Sequence, residues 1–191
     1  MKDNKKLQQA AKEGLFRGWR GWLWLMKIVM PVSAAVALIE YSGWLYRLDG
    51  VLGPALNLLG LSTAAAVPLL VGLLTGIYGG IAAMTALPLG VTEQTLIAVF
   101  LLISHNLIQE SIIQDRSGLS FWKAAVSRLA ASAAAVLVVA WFLNADPAES
   151  RSAAASTLRE PFIEFAAAWA ASIAILAAKM FAILLPLMVL L

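Results

Sequence analysis

Cysteine is absent from this 191-residue chain, and histidine occurs once, as His105. Without cysteine the chain has no disulfide bond, no thiolate metal site and no cysteine nucleophile. A single histidine also excludes a metal site built from several histidines of one chain. Phosphate loops, dinucleotide-binding glycines after a strand and paired metal carboxylates are missing as well. We therefore expect a protein that is not an enzyme and that carries neither a cofactor nor a bound metal.

Charged residues are also scarce, since they make up 13% of the chain against 61% hydrophobic residues. Between residues 50 and 109 the only formal charge is Glu93. A surface in contact with water carries far more charge, so the natural solvent of this segment is the bilayer. We predict an all-α, polytopic transmembrane bundle of about five spans in contact with membrane lipid, with broken or re-entrant helices among them.

Positive charge is concentrated near the N-terminus, where half of the 14 Lys and Arg residues lie before position 28. A basic flank before the first span sets its orientation and attracts anionic lipid. We expect a multi-pass protein of the cell inner (plasma) membrane with a cytoplasmic N-terminus. Nucleic acid is not an expected partner, because the apolar remainder offers no basic or aromatic surface for it.

Hydrophobic patterning divides the chain into four parts. Residues 1–18 predict an amphipathic cytoplasmic helix on the membrane surface, and residues 19–143 predict the main membrane unit. Residues 144–160 form a hydrophilic loop, and residues 161–191 predict a C-terminal transmembrane helix. With five crossings and a cytoplasmic N-terminus, the loop would also be cytoplasmic.

The membrane unit divides further by length and by its breakers. Residues 48–61 are too short to cross and suit an interfacial or re-entrant segment. Residues 63–89 carry glycines and prolines that predict a broken helix. Residues 92–113 and 121–143 predict two further spans.

Polar residues gather at one point of this apolar chain. Six polar side chains occupy eight positions, in the order Ser104, His105, Asn106, Leu107, Ile108, Gln109, Glu110 and Ser111. Helical spacing puts Asn106 and Glu110 on one face. Ionisable groups inside a membrane are costly unless they are paired or face a cavity, so we predict a binding site for a small polar solute or ion. The alternative is that the helix leaves the bilayer here and Glu110 marks the interface.

Glycines are dense just before this cluster, in the run Thr75-Gly76-Ile77-Tyr78-Gly79-Gly80. Such density permits unwinding, which exposes backbone groups to a ligand. The predicted substrate-binding residues are therefore Thr75, Gly76, Tyr78, Gly79, Ser104, His105, Asn106 and Glu110. Close helix packing through Gly-x-x-x-Gly spacing explains the same glycines and stays open.

Three charged residues lie inside predicted spans. Lys27 and Glu40 are expected to extend their charged groups to the membrane surface. Lys179 is followed only by apolar residues. If it faces the bundle interior, we predict that it is the charge partner of Glu110 or of a bound anion.

The order of these elements resembles the nucleoside-recognition or Gate domain family over about residues 20–143. The resemblance rests on Lys27 followed by Pro31, a Gly-Pro stretch, the glycine-rich break and the pattern Ser-His-x-x-x-x-Glu from Ser104 to Glu110. That family includes spore maturation proteins A and B. It looks related to the membrane cores of ferrous-iron transporter B and of concentrative nucleoside transporters.

The resemblance implies a fold in which two such units pack in inverted orientation and build a substrate site from broken helices. This chain has one unit and lacks the cysteine often found in the gate of the iron transporter. It is therefore expected to be half of a transporter or permease, assembled as a homodimer or with a homologous second Gate subunit. In that role His105 could carry a coupled proton. The alternative is a non-transporting membrane scaffold, or a partner-recruiting subunit of a larger complex.

Overall fold

The computed structural model describes the backbone of residues 2–47, 49–145 and 161–190. Within these ranges the secondary structure is helical, which confirms the predicted all-α class. From residue 146 onward the predicted hydrophilic loop lies outside the described residues. The helices are α1 Lys2–Tyr41, α2 Trp44–Arg47, α3 Asp49–Leu58, α4 Ala66–Thr75, α5 Ile77–Met84, α6 Val91–Ser104, α7 Leu107–Arg116, α8 Phe121–Leu143 and α9 Phe162–Leu190, with a 3-10 turn at Thr63–Ala65.

Helices α1 and α9 pack side by side in opposite directions. The start of α1 meets the end of α9, where Gly14 lies against the backbone of Met188. The end of α1 meets the start of α9, where the ring centroids of Tyr41 and Phe162 are 5.1 Å apart. Both described chain ends therefore lie at one end of the bundle, which we call the N-terminal end.

Indole groups connect the two long helices between these contacts. Trp22 Nε1 donates a hydrogen bond of 2.9 Å to the carbonyl oxygen of Ala177. Trp169 Nε1 donates one of 3.0 Å to the buried hydroxyl of Ser33. Polar contacts of this kind give an apolar helix pair a defined register, because an indole N–H inside a membrane needs an acceptor.

Helix α1 differs from its prediction at both ends. The expected separate surface helix over residues 1–18 is the first part of one continuous helix, in which Gly14 and Gly18 are buried against α9. At the other end Glu40 is 1% exposed and does not extend to the surface. Lys27, in contrast, is exposed on the outside of the bundle.

The glycine-rich segment forms a helical hairpin. Helices α3 and α4 meet at a bend of 92°, and α5 then folds back along α4. A Cβ added to Gly80 would lie 3.4 Å from Gly72 Cα and 3.5 Å from the carbonyl oxygen of Pro68. In one continuous helix Pro68 and Gly80 would be about 18 Å apart. The predicted break within residues 63–89 is thus confirmed, and it takes the form of a re-entrant turn.

Helices α6 and α8 form the other side of the core. Leu96, Ile97 and Leu101 of α6 and Val136 of α8 are almost fully buried together with residues of α1 and the hairpin. Gly72 has no side chain where Leu101 packs, so the hairpin approaches α6 closely. This packing fixes the hairpin tip against the end of α6.

Four helices are long and apolar enough to cross a membrane: Lys12–Tyr41, Val91–Arg116, Phe121–Leu143 and Phe162–Val189. The bent pair α3–α4 passes the same test of length and composition, so up to five segments of the described chain qualify as spans, as predicted. The first and last described residues of the chain both lie at the N-terminal end of the bundle. A bundle that spans the membrane therefore has an even number of complete crossings. The hairpin then enters and leaves on one side, and α9 starts at the end opposite the N-terminus. This corrects the expectation that the loop before α9 lies on the N-terminal side.

Candidate functional site

The hairpin turns at Gly76, which has φ 96° and ψ −177°. This backbone conformation is accessible to glycine and costly for residues with a Cβ. The N–H of Gly76 donates to the carbonyl oxygen of Gly72, which ends α4, and α5 begins one residue later. Gly76 therefore allows the turn itself, and Gly72 and Gly80 allow α4 and α5 to pack closely.

A second helix break lies directly against this turn. Helix α6 ends at Ser104, and α7 begins at Leu107 after Asn106, which has a left-handed φ of 50°. The N–H of Asn106 donates to the carbonyl oxygen of Gly72 at 3.2 Å. Its side-chain amide covers Gly76 so closely that a Cβ there would be 2.9 Å from Nδ2. The sequence predicted a single span over residues 92–113 and did not place a break within it.

His105 occupies the second break with a defined orientation. Its Nδ1 lies 2.8 Å from the carbonyl oxygen of Leu101. A carbonyl oxygen only accepts, so Nδ1 carries the hydrogen and a neutral ring keeps Nε2 as an acceptor. Nε2 faces Oε1 of Glu110 at 3.9 Å, which is too long for a direct hydrogen bond. Two acceptors thus face each other across a gap.

Arg128 of α8 holds the second break together. Its Nε donates to the carbonyl oxygen of Ile103 at 3.0 Å, and its Nη2 donates to that of His105 at 3.1 Å. Its Nη1 lies 3.1 Å from Glu110 Oε2, an ion-pair distance, although the angle there is not that of a hydrogen bond. The guanidinium therefore binds carbonyls that the helix break leaves without helical partners.

Ser104 is buried on the same α8 surface. Its hydroxyl donates to Ser132 Oγ at 2.8 Å and lies 3.1 Å from the carbonyl oxygen of Arg128. Since Ser104 is 0% exposed, it positions α8 against α6 and does not face the exterior. The other predicted residues of the cluster, His105, Asn106 and Glu110, are partly exposed, and the side chains of His105 and Glu110 are 28% and 41% exposed.

The structure brings most predicted site residues together at the two breaks. Gly76 and Asn106 touch, and His105 faces Glu110. The hydroxyl of Thr75 is bound to Val71 O in its own helix, and Gly79 is buried at its side.

Two predicted residues lie elsewhere. Tyr78 lines a groove with Gly21 of α1 and Leu184 of α9. Lys179 is exposed on α9, and the cation beside Glu110 is Arg128, which corrects the predicted charge partner.

Comparison with known proteins supports the family resemblance. Residues 22–114 match the family described as Gate, nucleoside recognition. The chain is similar to a Bacillus subtilis (strain 168) protein named uncharacterized membrane protein YvoD, with 34% identity over 129 residues. That match covers 66% of this chain and 40% of the relative, so the chain spans well under two thirds of that protein. No solved structure matches.

Proposed function

Because residues 22–114 belong to the Gate, or nucleoside-recognition, family, we propose that this multi-pass membrane protein is one half of a transporter or permease for a small polar solute or ion. The observation that carries the proposal is the contact between the two helix breaks, at Gly76 and at Asn106. Broken helices in transport proteins place backbone and side-chain polar groups around a substrate.

The chemistry beside that contact suits a polar guest. With a neutral ring, His105 Nε2 and Glu110 Oε1 are two acceptors 3.9 Å apart. A solute whose N–H or O–H groups donate to both of them satisfies this pair. Arg128 remains in place as the counter-charge of Glu110. No bond-making step is part of the proposal, so the protein binds and moves its solute and is not an enzyme.

A second unit completes the site in this proposal. Glu110 is 41% exposed in the single chain, so its side chain is open to a partner surface. The matched part of the Bacillus relative is 40% of that protein, which leaves room for another unit of similar size. The second unit comes either from another copy of this chain or from a homologous Gate subunit.

Solute flux into liposomes tests the function. The protein is reconstituted, and uptake of radiolabelled uridine and of radiolabelled sodium is measured separately. His105→Ala removes the ring with its Nε2 acceptor, and Glu110→Gln replaces the charged carboxylate by a neutral amide. We expect uptake to fall about tenfold or more in each, as loss of a hydrogen bond to a charged group costs ~1.5–3 kcal/mol.

Gln109→Ala is the matched control, because Gln109 is an exposed neighbour in the same helix. Its uptake is expected to equal that of the wild type. Unchanged flux in both His105→Ala and Glu110→Gln would remove these residues from the mechanism. If no probe is transported by the wild type, and a partner membrane protein co-purifies with it, the scaffold alternative is favoured.

A further inference from the structure

A second ionisable group lies at the base of the hairpin, away from the two helix breaks. Glu93, in the first turn of α6, is 5% exposed. Its Oε1 accepts a hydrogen bond of 2.6 Å from the backbone N–H of Ser62. Ser62 lies in the 92° corner between α3 and α4. The carboxyl group of Glu93 therefore holds the corner from which the hairpin starts.

Two polar atoms at this corner are buried without partners. Glu93 Oε2 and the hydroxyl of Ser62, a residue only 2% exposed, have no hydrogen-bond partner among the described residues. No Lys, Arg or His of the described chain lies within ion-pair distance of Glu93. A buried carboxylate with a single donor is costly, and an unpartnered buried oxygen calls for an occupant or a proton.

The surroundings of Glu93 contain few other titratable groups. Helix α4 carries none, α5 carries only Tyr78 at the hairpin tip, and residues 133–143 of α8 carry none. At this end of the bundle the other buried acid is Glu40, in the last turn of α1. Arg128 and Lys123 of α8 lie towards the N-terminal end, with the polar cluster.

We propose that Glu93 is a proton-binding site, separate from the polar cluster, which takes up a proton on Oε2 and releases it to water. One O–H bond forms on uptake and breaks on release. A metal ion fits less well, since hard cations require about six oxygen ligands and the corner offers two unpartnered ones. Protonation replaces a charge-assisted hydrogen bond to Ser62 N–H by a weaker neutral one, which loosens the hairpin base.

Infrared difference spectroscopy of the purified chain in lipid nanodiscs tests this site without any solute. On acidification, the wild type is expected to gain a band of a protonated carboxyl group in apolar surroundings. Glu93→Gln is expected to lose that band, and Glu93→Asp to shift it, which keeps the test valid if the glutamine variant does not fold. Glu164→Gln, at an exposed position of α9, is the matched control and should keep the band.

Glu110→Gln separates this proposal from the proposed function, because the band should persist when the polar cluster has lost its acid. A band that is unchanged in both Glu93 variants would overturn the site. So would a wild type with no such band at any pH, or a spectrum that responds to sodium and not to pH.

Discussion

Arg128 is the residue on which the second helix break depends. Its side chain is 14% exposed and binds two backbone carbonyls, while its ionic partner Glu110 is 41% exposed. The ion pair alone contributes little, because pairs this open to the surroundings give about 0–1 kcal/mol. Hydrogen bonds from a charged donor to otherwise unpaired carbonyls contribute ~1.5–3 kcal/mol each. The carbonyl contacts therefore dominate.

Arg128→Ala should lower the free energy of unfolding by about 3–6 kcal/mol, since two carbonyls lose a charged donor. Glu110→Gln should lower it by about 1 kcal/mol or less, because that pair is partly exposed. Denaturant titration in detergent micelles measures both changes. Equal losses in the two variants would mean that the ion pair, and not the carbonyl contacts, stabilises the break.

At the residue scale the sequence singled out Glu110 and missed the cation that lies beside it, Arg128. Ser104, His105, Asn106 and Glu110 were found because polar residues stand out in an apolar segment. Arg128 lies in an alanine-rich span, where a single charge looks like an interface residue. Nothing in the local pattern indicates that α8 packs along α6, so Lys179 was chosen for the role that Arg128 has.

Among the elements, the hairpin depends most strictly on one position. Gly76 has a φ of 96°, and the side-chain amide of Asn106 occupies the space that a Cβ on Gly76 would need. The glycine content predicted that break, because a residue without a Cβ is needed for such a turn. The break at Asn106 has no glycine to mark it. A left-handed asparagine is tolerated there because its N–H bonds to Gly72 O of the hairpin, a contact that local sequence does not encode.

Gly76→Ala should destabilise the protein by about 1–2 kcal/mol through the backbone alone, and further through the displaced Asn106 amide. Gly21→Ala is the matched control, since nothing lies within 4 Å of a Cβ added to that helical glycine. We expect the control to be neutral or slightly stabilising. Thermal unfolding in micelles compares the two. A Gly76→Ala variant as stable as Gly21→Ala would contradict the described turn.

The pairing of α1 with α9 rests on a small residue near the N-terminus. A Cβ on Gly14 would collide with the backbone of Met188, which cannot rotate away as a side chain can. Gly14→Val should separate the helix ends and cost about 1–3 kcal/mol, as overpacking does elsewhere. Gly21→Val is again the control. Proteolysis of the N-terminal segment should be faster in Gly14→Val than in the wild type, and unchanged in Gly21→Val. Equal proteolysis rates in the two variants would show that α1 does not pack against α9 at Gly14.

On the scale of the whole molecule, the packing redistributes the basic residues. The turn between α7 and α8, with Arg116 and Lys123, lies towards the N-terminal end, because α6–α7 runs from the hairpin base to the hairpin tip. Most of the seven Lys and Arg before position 28 lie towards the same end, and Arg47 lies at the opposite end. Arg151 and Arg159 belong to the loop before α9 and fall outside the described residues. Positive residues favour the cytoplasmic side. We therefore predict one orientation of the chain, with its N-terminal end in the cytoplasm.

Labelling of single cysteines tests this topology on a chain that has no cysteine of its own. Lys12→Cys, Ser42→Cys and Ser117→Cys place one thiol each at exposed positions. With four complete crossings and a cytoplasmic N-terminus, an impermeant maleimide should label the Ser42 variant in intact cells. The Lys12 and Ser117 variants should react only after permeabilisation, and the parent not at all. The hairpin enters and leaves on one side of the membrane in this fold, so Lys12 and Ser117 should lie on the same side. Labelling of these two variants from opposite sides would contradict the fold, because α3–α5 would then have to cross the membrane.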